Sequence, residues 1–368
     1  MRICIYEDRP NAIVGVKLLL LSLRSYCPEV PVFITYALAD GGFRAWARRC
    51  PQATTESDPA LRGQGWNTKP LLLLRALNAG ADEVVWLDSD VILSADFRPL
   101  LQRRRADEIV VAQEQYWGLY QGSSVRTGLW GLEPGRVLPF TANSGFVRVT
   151  AAHRELLNTW KDFLARPEYR EAQKLQPMHC RPLHLQGDQD VLTALLGAAA
   201  FRNIPVVYLR RGREIVQSIG PAGYTIGERI RNLGSGLPPL IHGVHPKPWN
   251  VVPQRDDQKK GRNFASRISM DTSPYSWVAR RYLHELEEEV PGLRIQTVAG
   301  RVLHGVALGN PTLSGFVPAA IHSIGKRLKR LLGLTPWPRS IVRAELEARR
   351  HPVNTHEIQA RPTAVADR

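Results

Sequence analysis

The stretch that most constrains the fold is an apolar run ending in two aspartates, Glu83-Val-Val-Trp-Leu-Asp88-Ser-Asp90. Val84 to Leu87 has the length and composition of a buried strand. Because side chains alternate faces on an extended segment, Asp88 and Asp90 point the same way beyond the strand's carboxyl end. Ligands bind at this edge of open α/β sheets, and two carboxylates suit a divalent cation that holds a diphosphate. The alternative is that Asp88 caps the next segment and Asp90 is solvated.

Strands and helices alternate along the first part of the chain. Arg2 to Tyr6 and Val30 to Thr35 have the apolar runs of strands, whereas Ala12 to Ser25 and Leu71 to Ala79 have the periodicity of helices. Similar patterns continue beyond the aspartates: strands at Glu108 to Ala112 and Val206 to Leu209, a turn and strand at Pro139 to Val149, and a helix at Ala152 to Arg166. This alternation predicts an α/β fold with a mostly parallel sheet flanked by helices.

The charge of the chain favours an anionic partner. Its 368 residues carry a net charge of +15, which suits nucleic acid, an acidic membrane face or anionic substrates such as nucleotide sugars. The four cysteines form no CxxC pair, which argues against a zinc site and fits buried thiols in a reducing cytosol. Because the first residues have the pattern of a strand and not of a signal peptide, we expect a cytoplasmic protein.

Three further polar motifs lie at predicted turns. Asn143-Ser144-Gly145 leads into a strand, and Asp188-Gln189-Asp190 begins a helix, where the helix dipole favours carboxylates. The third motif, His242-Gly243-Val-His245-Pro-Lys247-Pro-Trp249, gathers imidazole, ammonium and aromatic groups. Two glycine-containing stretches, Tyr116 to Pro134 and Tyr224 to Gly236, are predicted to be loops that select the acceptor of a reaction at this site.

With these four motifs in this order, the chain resembles the GT-A-fold (Rossmann-like) glycosyltransferases. It is most similar to the family 8-like retaining group that contains glycogenin, galactinol synthase and the bacterial lipopolysaccharide galactosyl- and glucosyltransferases. The resemblance implies a GT-A catalytic domain over residues 1–254. A helical and irregular extension is then expected over 255–315, and a basic amphipathic helix with a partly disordered tail over 316–368.

The resemblance also implies a metal site. In this family two aspartates and a histidine hold Mn²⁺, which grips the diphosphate of UDP; carried over, the ligands are Asp88, Asp90 and His242. A nitrogen donor favours Mn²⁺ over the alternative, Mg²⁺. His242 precedes Lys247 by five positions, one fewer than is usual in the family, so His245 is a competing ligand.

The resemblance assigns a set of side chains to the UDP-sugar, namely Tyr6, Asp8, Lys69, Asn143, Ser144, Asp188, Gly243 and Lys247. Tyr6 and Asp8 lie where the family reads uracil and ribose, although Asp8 could equally be a turn residue. Lys69 would reach a phosphate or the sugar, or else be a solvated helix start. Lys247 would stabilise the departing diphosphate as its negative charge develops.

Catalysis is expected to involve Asp188, Gln189 and Lys247. Gln189 takes the position that faces the anomeric carbon in the family. Because an amide is a poor nucleophile, we favour departure and attack on one face of the sugar, with Asp188 as the alternative nucleophile. Asn143 and Asp188 would hold sugar hydroxyls, whereas Asp190 would only favour the start of the helix.

The remaining chain is predicted to be mostly helical and basic. Ser273 to Glu289 has a helical pattern, and Arg294 to Leu308 fits a strand or a loop. Phe316 to Leu334 is predicted to be a basic amphipathic helix, which either lies on an anionic membrane surface through residues 316–334 or docks on the catalytic domain.

The predicted function is transfer of a hexose from a UDP-sugar to an acceptor hydroxyl, with retention of configuration. The acceptor would be a glycan, a lipid-linked glycan, a small molecule or a protein, and no nucleic acid is expected as a partner. Two alternatives are a nucleotidyltransferase, which would need a Gly-rich basic first loop, and a nucleic-acid-binding protein, which only the net charge favours.

Overall fold

The computed structural model describes residues 1–38, 41–114, 124–175, 180–217, 220–244, 247–250, 260–288 and 290–333. Four predictions fall wholly or partly elsewhere. They are His245, the domain boundary between residues 254 and 255, the first part of the Tyr116 to Pro134 loop and the predicted disordered tail, and they lie outside the described residues.

The strands of the described residues form two sheets. They are β1 (Arg2–Glu7), β2 (Val32–Tyr36), β3 (Ala53–Glu56), β4 (Glu83–Leu87), β5 (Val91–Leu93), β6 (Ile109–Gln113), β7 (Ala142–Thr150), β8 (Val206–Leu209), β9 (Ile215–Gln217) and β10 (Leu240–His242). The large sheet has the order β3-β2-β1-β4-β7-β6-β8, and the small sheet has the order β5-β10-β9. In the large sheet β7 runs antiparallel to its neighbours β4 and β6, and the other pairs are parallel. The predicted α/β fold with a mostly parallel sheet is therefore confirmed.

Helices connect these strands and continue beyond them. They are α1 (Ile13–Tyr26), α2 (Gly41–Ala47), α3 (Lys69–Asn78), α4 (Val125–Leu129), α5 (Arg154–Ala165), α6 (Pro167–Gln173), α7 (Asp188–Gly197), α8 (Ile226–Arg231), α9 (Lys260–Asp271), α10 (Pro274–Ala279), α11 (Val298–Val306), α12 (Pro311–Ser314) and α13 (Phe316–Leu331). None of the described helices is both long and apolar enough to cross a lipid bilayer.

The alternating side chains of the central strands fill two separate cores. On β1, Ile3 and Ile5 belong to the core that contains α1, whereas Cys4 and Tyr6 belong to the core that contains α3, α5 and α7. Strand β4 alternates in the same way, so the sheet is buried on both faces. Burial of both faces explains why these strands are continuous apolar runs in the sequence.

The stretch from Tyr224 to Gly236, predicted to be a loop, contains a helix, so that prediction is wrong for residues 226–231. Residues 226–231 form α8, which begins with a capping box: the Thr225 hydroxyl accepts from the Glu228 N–H, and the Glu228 carboxylate accepts from the Thr225 N–H at 2.7 Å. The Glu228 carboxylate also pairs with Arg211 at 2.9 Å. The Thr-x-x-Glu spacing is the sequence signal for this helix.

The loop predicted from Tyr116 to Pro134 also contains folded structure. Residues 125–129 form α4, and Trp130 is buried with its ring edge against Phe163, at a centroid distance of 4.9 Å. Arg126 and Thr127 are buried as well, whereas Leu129 is exposed, so one side of this helical segment belongs to the core.

Two predictions for the C-terminal part were wrong as well. The helix predicted from Ser273 begins there, but its α-helical part ends at Ala279 and residues 280–285 form a 3₁₀ helix. At this junction the Arg280 guanidinium donates to the carbonyls of Asp271 and Leu293 at 2.7 and 2.8 Å. Arg294 to Leu308 contains α11, which begins where the Thr297 hydroxyl accepts from a backbone N–H. The predicted helix from Phe316 is confirmed as α13.

Helix α10, which follows the small sheet in the chain, packs into the core that contains α1. Tyr275 and Val278 of α10 are fully buried in the same cluster as the strand residues of β5. The acidic residues that follow α10 in the chain pair with the N-terminal part of the protein: Lys17 of α1 contacts Glu288 at 2.6 Å. Chain segments far apart in sequence therefore share one core.

The turn after β7 contains a buried histidine held in one tautomer. His153 Nδ1 accepts from the Thr150 N–H at 3.0 Å, and Nε2 donates to the Asp107 carbonyl at 3.2 Å. Burial lowers the pKa of His153, even though these two backbone contacts act in the opposite direction. Protonation of Nδ1 would remove the acceptor of the hydrogen bond from the Thr150 N–H, so the folded state favours the neutral ring.

We expect the unfolding free energy to fall as the pH drops below about 6.5, the ordinary histidine pKa, because the unfolded chain then binds a proton that folded His153 resists. The stability that His153 contributes is complete above that pH and is lost toward its lower folded pKa. Urea titrations at several pH values should show a shallower pH dependence for His153→Gln. The control His284→Gln, at an exposed position, should retain the wild-type dependence; equal slopes in all three proteins would contradict this expectation.

Candidate active site

The three predicted metal ligands lie together at the carboxyl end of β4. One ligand atom from each of Asp88, Asp90 and His242 lies within 4.8 Å of the other two. His242 ends β10, which pairs antiparallel with β5 and places it opposite Val91. Its Nε2 is 3.2 Å from Asp90 Oδ1 and 3.9 Å from Asp88 Oδ2. The shorter spacing to Lys247 therefore still brings His242 to both carboxylates.

The charge states of this cluster suit a divalent cation. Burial lowers the pKa of His242, an effect that Asp88 only partly offsets, so the imidazole is neutral. Burial would raise the pKa of Asp88, but the charge of Lys69, with a hydrogen bond from Trp86 Nε1, outweighs it and holds the carboxylate ionised. His242 Nδ1 is buried and has no hydrogen-bond partner within the described ranges. A neutral imidazole with two carboxylates is a suitable donor set for a first-row divalent ion.

Asn143, Ser144 and Gly145 form a bulge in β7. Val111 of β6 pairs with Val147, but the next residue, Ala112, pairs with Asn143, so residues 144–146 have no partner on β6. The Gly145 carbonyl accepts from the Asp88 N–H at 3.0 Å. The bulge thus turns the Asn-Ser-Gly motif toward the metal-ligand cluster, which is a common use of bulges.

Gly145 is required by the close approach of His242. A Cβ atom at this position would lie 2.8 Å from His242 Nδ1 and closer still to Cε1. Since the ring is buried, any larger residue would displace it. The glycine of the motif therefore makes room for the imidazole of His242.

A buried lysine connects two carboxylates and a hydroxyl group of the site. Lys69 begins α3, and its side chain is 2% exposed. Its Nζ lies 3.0 Å from Asp88 and 3.3 Å from Asp188, and it donates to Ser144 Oγ at 2.8 Å. The Ser144 hydroxyl in turn donates to Asp188 at 2.7 Å. Lys69 is therefore not a solvated helix start.

Electrostatics keep Lys69 charged despite its burial. Burial alone would lower its pKa, but Asp188 and Asp88 reverse that effect and raise it. Burial raises the pKa of Asp188, and Lys69 only partly opposes this. The cation is thus held between two carboxylates, one belonging to the metal-ligand cluster and one to α7.

Sequence analysis missed Glu114, which directly follows β6. Its Oε2 accepts from Asn143 Nδ2 and from Gln189 Nε2, each at 2.8 Å. The only sequence signal is a carboxylate at the end of a strand, next to the predicted loop. The structure thus brings Asn143 and Gln189 to one acceptor.

Asp190 does more than favour the start of α7, the role predicted from the sequence. It forms a buried pair with Arg126 of α4, at 2.8 Å from Nε to Oδ1. Burial raises the pKa of Asp190 to about 6, and Arg126 opposes the rise. The pair connects α4 to α7 behind Asp188 and Gln189, and Arg126 is a second residue that the sequence did not reveal.

Lys247 lies beside the metal-ligand cluster. Its Nζ contacts Asp90 and donates to the Gly243 carbonyl at 3.0 Å. Burial lowers the pKa of Lys247 to about 8. A Cβ at Gly243 would lie 2.9 Å from the Tyr275 ring, so packing alone requires glycine there. Trp249 is buried and donates to the Asn11 carbonyl at 2.8 Å, which fixes the segment that contains Lys247.

Tyr6 and Asp8 interact with each other at the end of β1. The Tyr6 hydroxyl lies 3.0 Å from Asp8 Oδ2 and also contacts the Leu61 carbonyl. The same Asp8 oxygen accepts from the N–H groups of Gly63 and Gly65 at 2.9 and 3.1 Å. Tyr6 is buried in the core, so its ring face is not open to a base. Asp8 instead holds the loop beside the site.

The end of β1 also contains a buried carboxylate that sequence analysis missed. Glu7 accepts from Ser89, the residue between the two aspartates, at 2.5 Å, and it pairs with Arg9 at 2.9 Å. Ser89 and Glu7 are both buried. This contact holds the Asp88-Ser-Asp90 turn against the neighbouring strand.

The chain is similar to several solved glycosyltransferase structures. No protein-family model and no curated protein matches it. The galactosyltransferase LgtC, in complex with donor and acceptor sugar analogs, matches at 13% identity over 78% of this chain and 100% of its own, with a TM-score of 0.44. GlyE of Streptococcus pneumoniae TIGR4 matches at 13% identity over 77% and 64% (TM-score 0.42), and mouse xyloside xylosyltransferase 1 at 14% over 67% and 98% (TM-score 0.41). At these TM-scores the similarity assigns neither a family nor an activity, so the side chains must carry the functional argument.

Replacing Lys69 by Met should destabilise the metal-free protein by about 3–5 kcal/mol, because it leaves two buried carboxylates without their cation. Urea unfolding in the presence of a chelator measures the change. The matched control is Lys174→Met, which removes a lysine paired with Glu171 at 2.7 Å on the surface. It should cost less than about 1 kcal/mol, and similar losses in both variants would contradict the proposed role of Lys69.

Proposed function

We propose that this protein is a metal-dependent glycosyltransferase that transfers a hexose from a UDP-sugar to an acceptor hydroxyl. The observation that carries this proposal is the cluster of Asp88, Asp90 and His242 at the carboxyl end of β4, with Lys247 beside it. Two carboxylates and an imidazole suit Mn²⁺, with Mg²⁺ as the alternative. When bound, the ion would neutralise charge on the diphosphate of the donor.

The lysine beside this cluster supports departure of UDP. Lys247 is held by Asp90 and the Gly243 carbonyl, so its ammonium group lies within reach of a diphosphate at the cluster. It would stabilise negative charge as the bond to the sugar breaks. We propose that attack by the acceptor hydroxyl occurs on the face from which UDP departs, which would retain the configuration.

Asp188 is better suited to binding the sugar than to attacking it. Its carboxylate accepts from Ser144 and pairs with Lys69, which orients it and lowers its availability as a nucleophile. Together with Asn143 it would hold sugar hydroxyls. On the nucleotide side, Asp8 and the loop that it holds would contact the base and ribose, with Tyr6 supporting Asp8 from the core.

A peripheral membrane role for α13 is the second part of the proposal. Its buried Ala319 and its packing against α8 dock one side of the helix on the protein. The apolar residues Ile321, Ile324, Leu328 and Leu331 are each more than half exposed, and exposed basic residues lie between them, namely Lys326, Arg327 and Lys329. Such a surface would bind an anionic membrane on the cytoplasmic side, where a lipid-linked acceptor would be available.

UDP should bind to the wild-type protein in the presence of Mn²⁺ and much more weakly with a chelator, as measured by calorimetry. Asp90→Asn should weaken Mn²⁺-dependent UDP binding by more than about 100-fold. Loss of a residue that only supports a metal ligand costs up to about 100-fold in metal affinity, and loss of a ligand should cost more. Asp162→Asn, at an exposed position on α5, is the control and should bind as wild type does.

Two results would contradict the metal and donor assignments separately. UDP binding that is equal with Mn²⁺ and with chelator would exclude the metal site as its basis. Failure of UDP to bind under both conditions would overturn the UDP-sugar proposal, and other nucleotides and nucleic acid would then be tested.

The membrane proposal predicts that the protein sediments with vesicles containing phosphatidylserine and not with neutral phosphatidylcholine vesicles. The double variant Ile324→Glu, Leu328→Glu should reduce this binding by more than about tenfold, because it removes two apolar contacts and adds repulsion. Val137→Glu, at an exposed apolar position outside α13, is the control. Unchanged vesicle binding in the double variant would assign α13 to docking alone.

A further inference from the structure

Two amide side chains of the site donate to the same carboxylate oxygen. Glu114 continues β6, and its N–H donates to the Thr141 carbonyl at 3.0 Å, which fixes its backbone against β7. Its Oε2 accepts from Asn143 Nδ2 on the bulge and from Gln189 Nε2 on α7, each at 2.8 Å. Glu114 therefore connects three elements that meet beside Asp188.

These contacts determine which way each amide is turned. Asn143 Oδ1 accepts from the Gly145 N–H at 2.9 Å, so the oxygen end of that amide is fixed independently of Glu114. A carboxylate is only an acceptor when ionised, so Gln189 must present its NH₂ group to Glu114. Because the nitrogen and oxygen of an amide point apart, Gln189 Oε1 is then directed away from Glu114.

We infer that Glu114 is a positioning residue for the transfer reaction: it orients the amides of Gln189 and Asn143 beside Asp188. This inference rests on the proposed function. In the absence of Glu114 the Gln189 amide could turn by 180° and exchange an acceptor for a donor, and Asn143 would keep only the bond from the Gly145 N–H to its Oδ1. A sugar hydroxyl or a developing positive charge that faces the amide oxygen would then face the amide N–H groups. The electrostatic interaction between the amide and the reacting sugar would change from attraction to repulsion.

The test compares hydrolysis of UDP-sugars by wild type, Glu114→Gln and Glu114→Met in the presence of Mn²⁺. Met has a similar length and only a weakly accepting thioether sulfur, whereas Gln retains an oxygen that can accept both bonds. We expect kcat to fall by about 100-fold in Glu114→Met, the loss typical of a small misplacement, with KM and UDP affinity within about threefold of wild type. Glu114→Gln should remain within about tenfold of wild type.

Two further variants separate positioning from general damage. Glu108→Met, just before the first residue of β6, should hydrolyse as wild type does. In a Gln189→Leu background, Glu114→Met should cost less than it does alone, since the residue that it orients is already absent.

Several outcomes would overturn the inference. Wild-type kcat in Glu114→Met would show that orientation is not needed. Equal losses in Glu114→Gln and Glu114→Met would assign the effect to the negative charge and not to the hydrogen bonds. If wild type binds UDP with Mn²⁺ but Glu114→Met loses that affinity, Glu114 supports the fold of the site instead. If wild type neither binds UDP nor hydrolyses any UDP-sugar, the proposed function itself fails and the inference fails with it.

Discussion

The site depends on one buried cation. Lys69 lies between Asp88 and Asp188 with almost no exposure to solvent, and its charge is stable only because both carboxylates surround it. It therefore ties α3 to the end of β4, to the β7 bulge through Ser144, and to the start of α7. Elements from three parts of the sequence converge on this ammonium group, and each supplies a residue of the proposed active site.

Much of the site follows from local sequence rules. The order of apolar runs predicts the parallel sheet and the carboxylates at the end of β4. The two aspartates come together in a turn, in which the Val91 N–H donates to the Asp88 carbonyl at 3.0 Å, and not through the predicted alternation along an extended strand. His242 is harder to derive, because its position depends on pairing between β5 and β10, which are far apart in sequence. Here the resemblance to a family with the same ordered motifs supplied what spacing could not.

The residues that sequence analysis missed share one property. Glu114, Arg126 and Glu7 act through partners 29 to 82 positions away, as in Glu114 with Asn143 and Glu7 with Ser89, and no local pattern reports such pairs. The incorrect loop predictions have a different cause. The capping box of α8 and the cap of α11 are visible in the sequence, but the high content of glycine and basic residues around them favoured loops.

The central claim is that Asp88, Asp90 and His242 together hold the ion that binds the diphosphate of the donor. The most direct test is anomalous X-ray diffraction from crystals grown with Mn²⁺ and UDP. The account predicts an anomalous peak between these three side chains, with the UDP diphosphate as a further ligand and Lys247 next to it. A peak at another place, or UDP bound away from this cluster, would contradict the account.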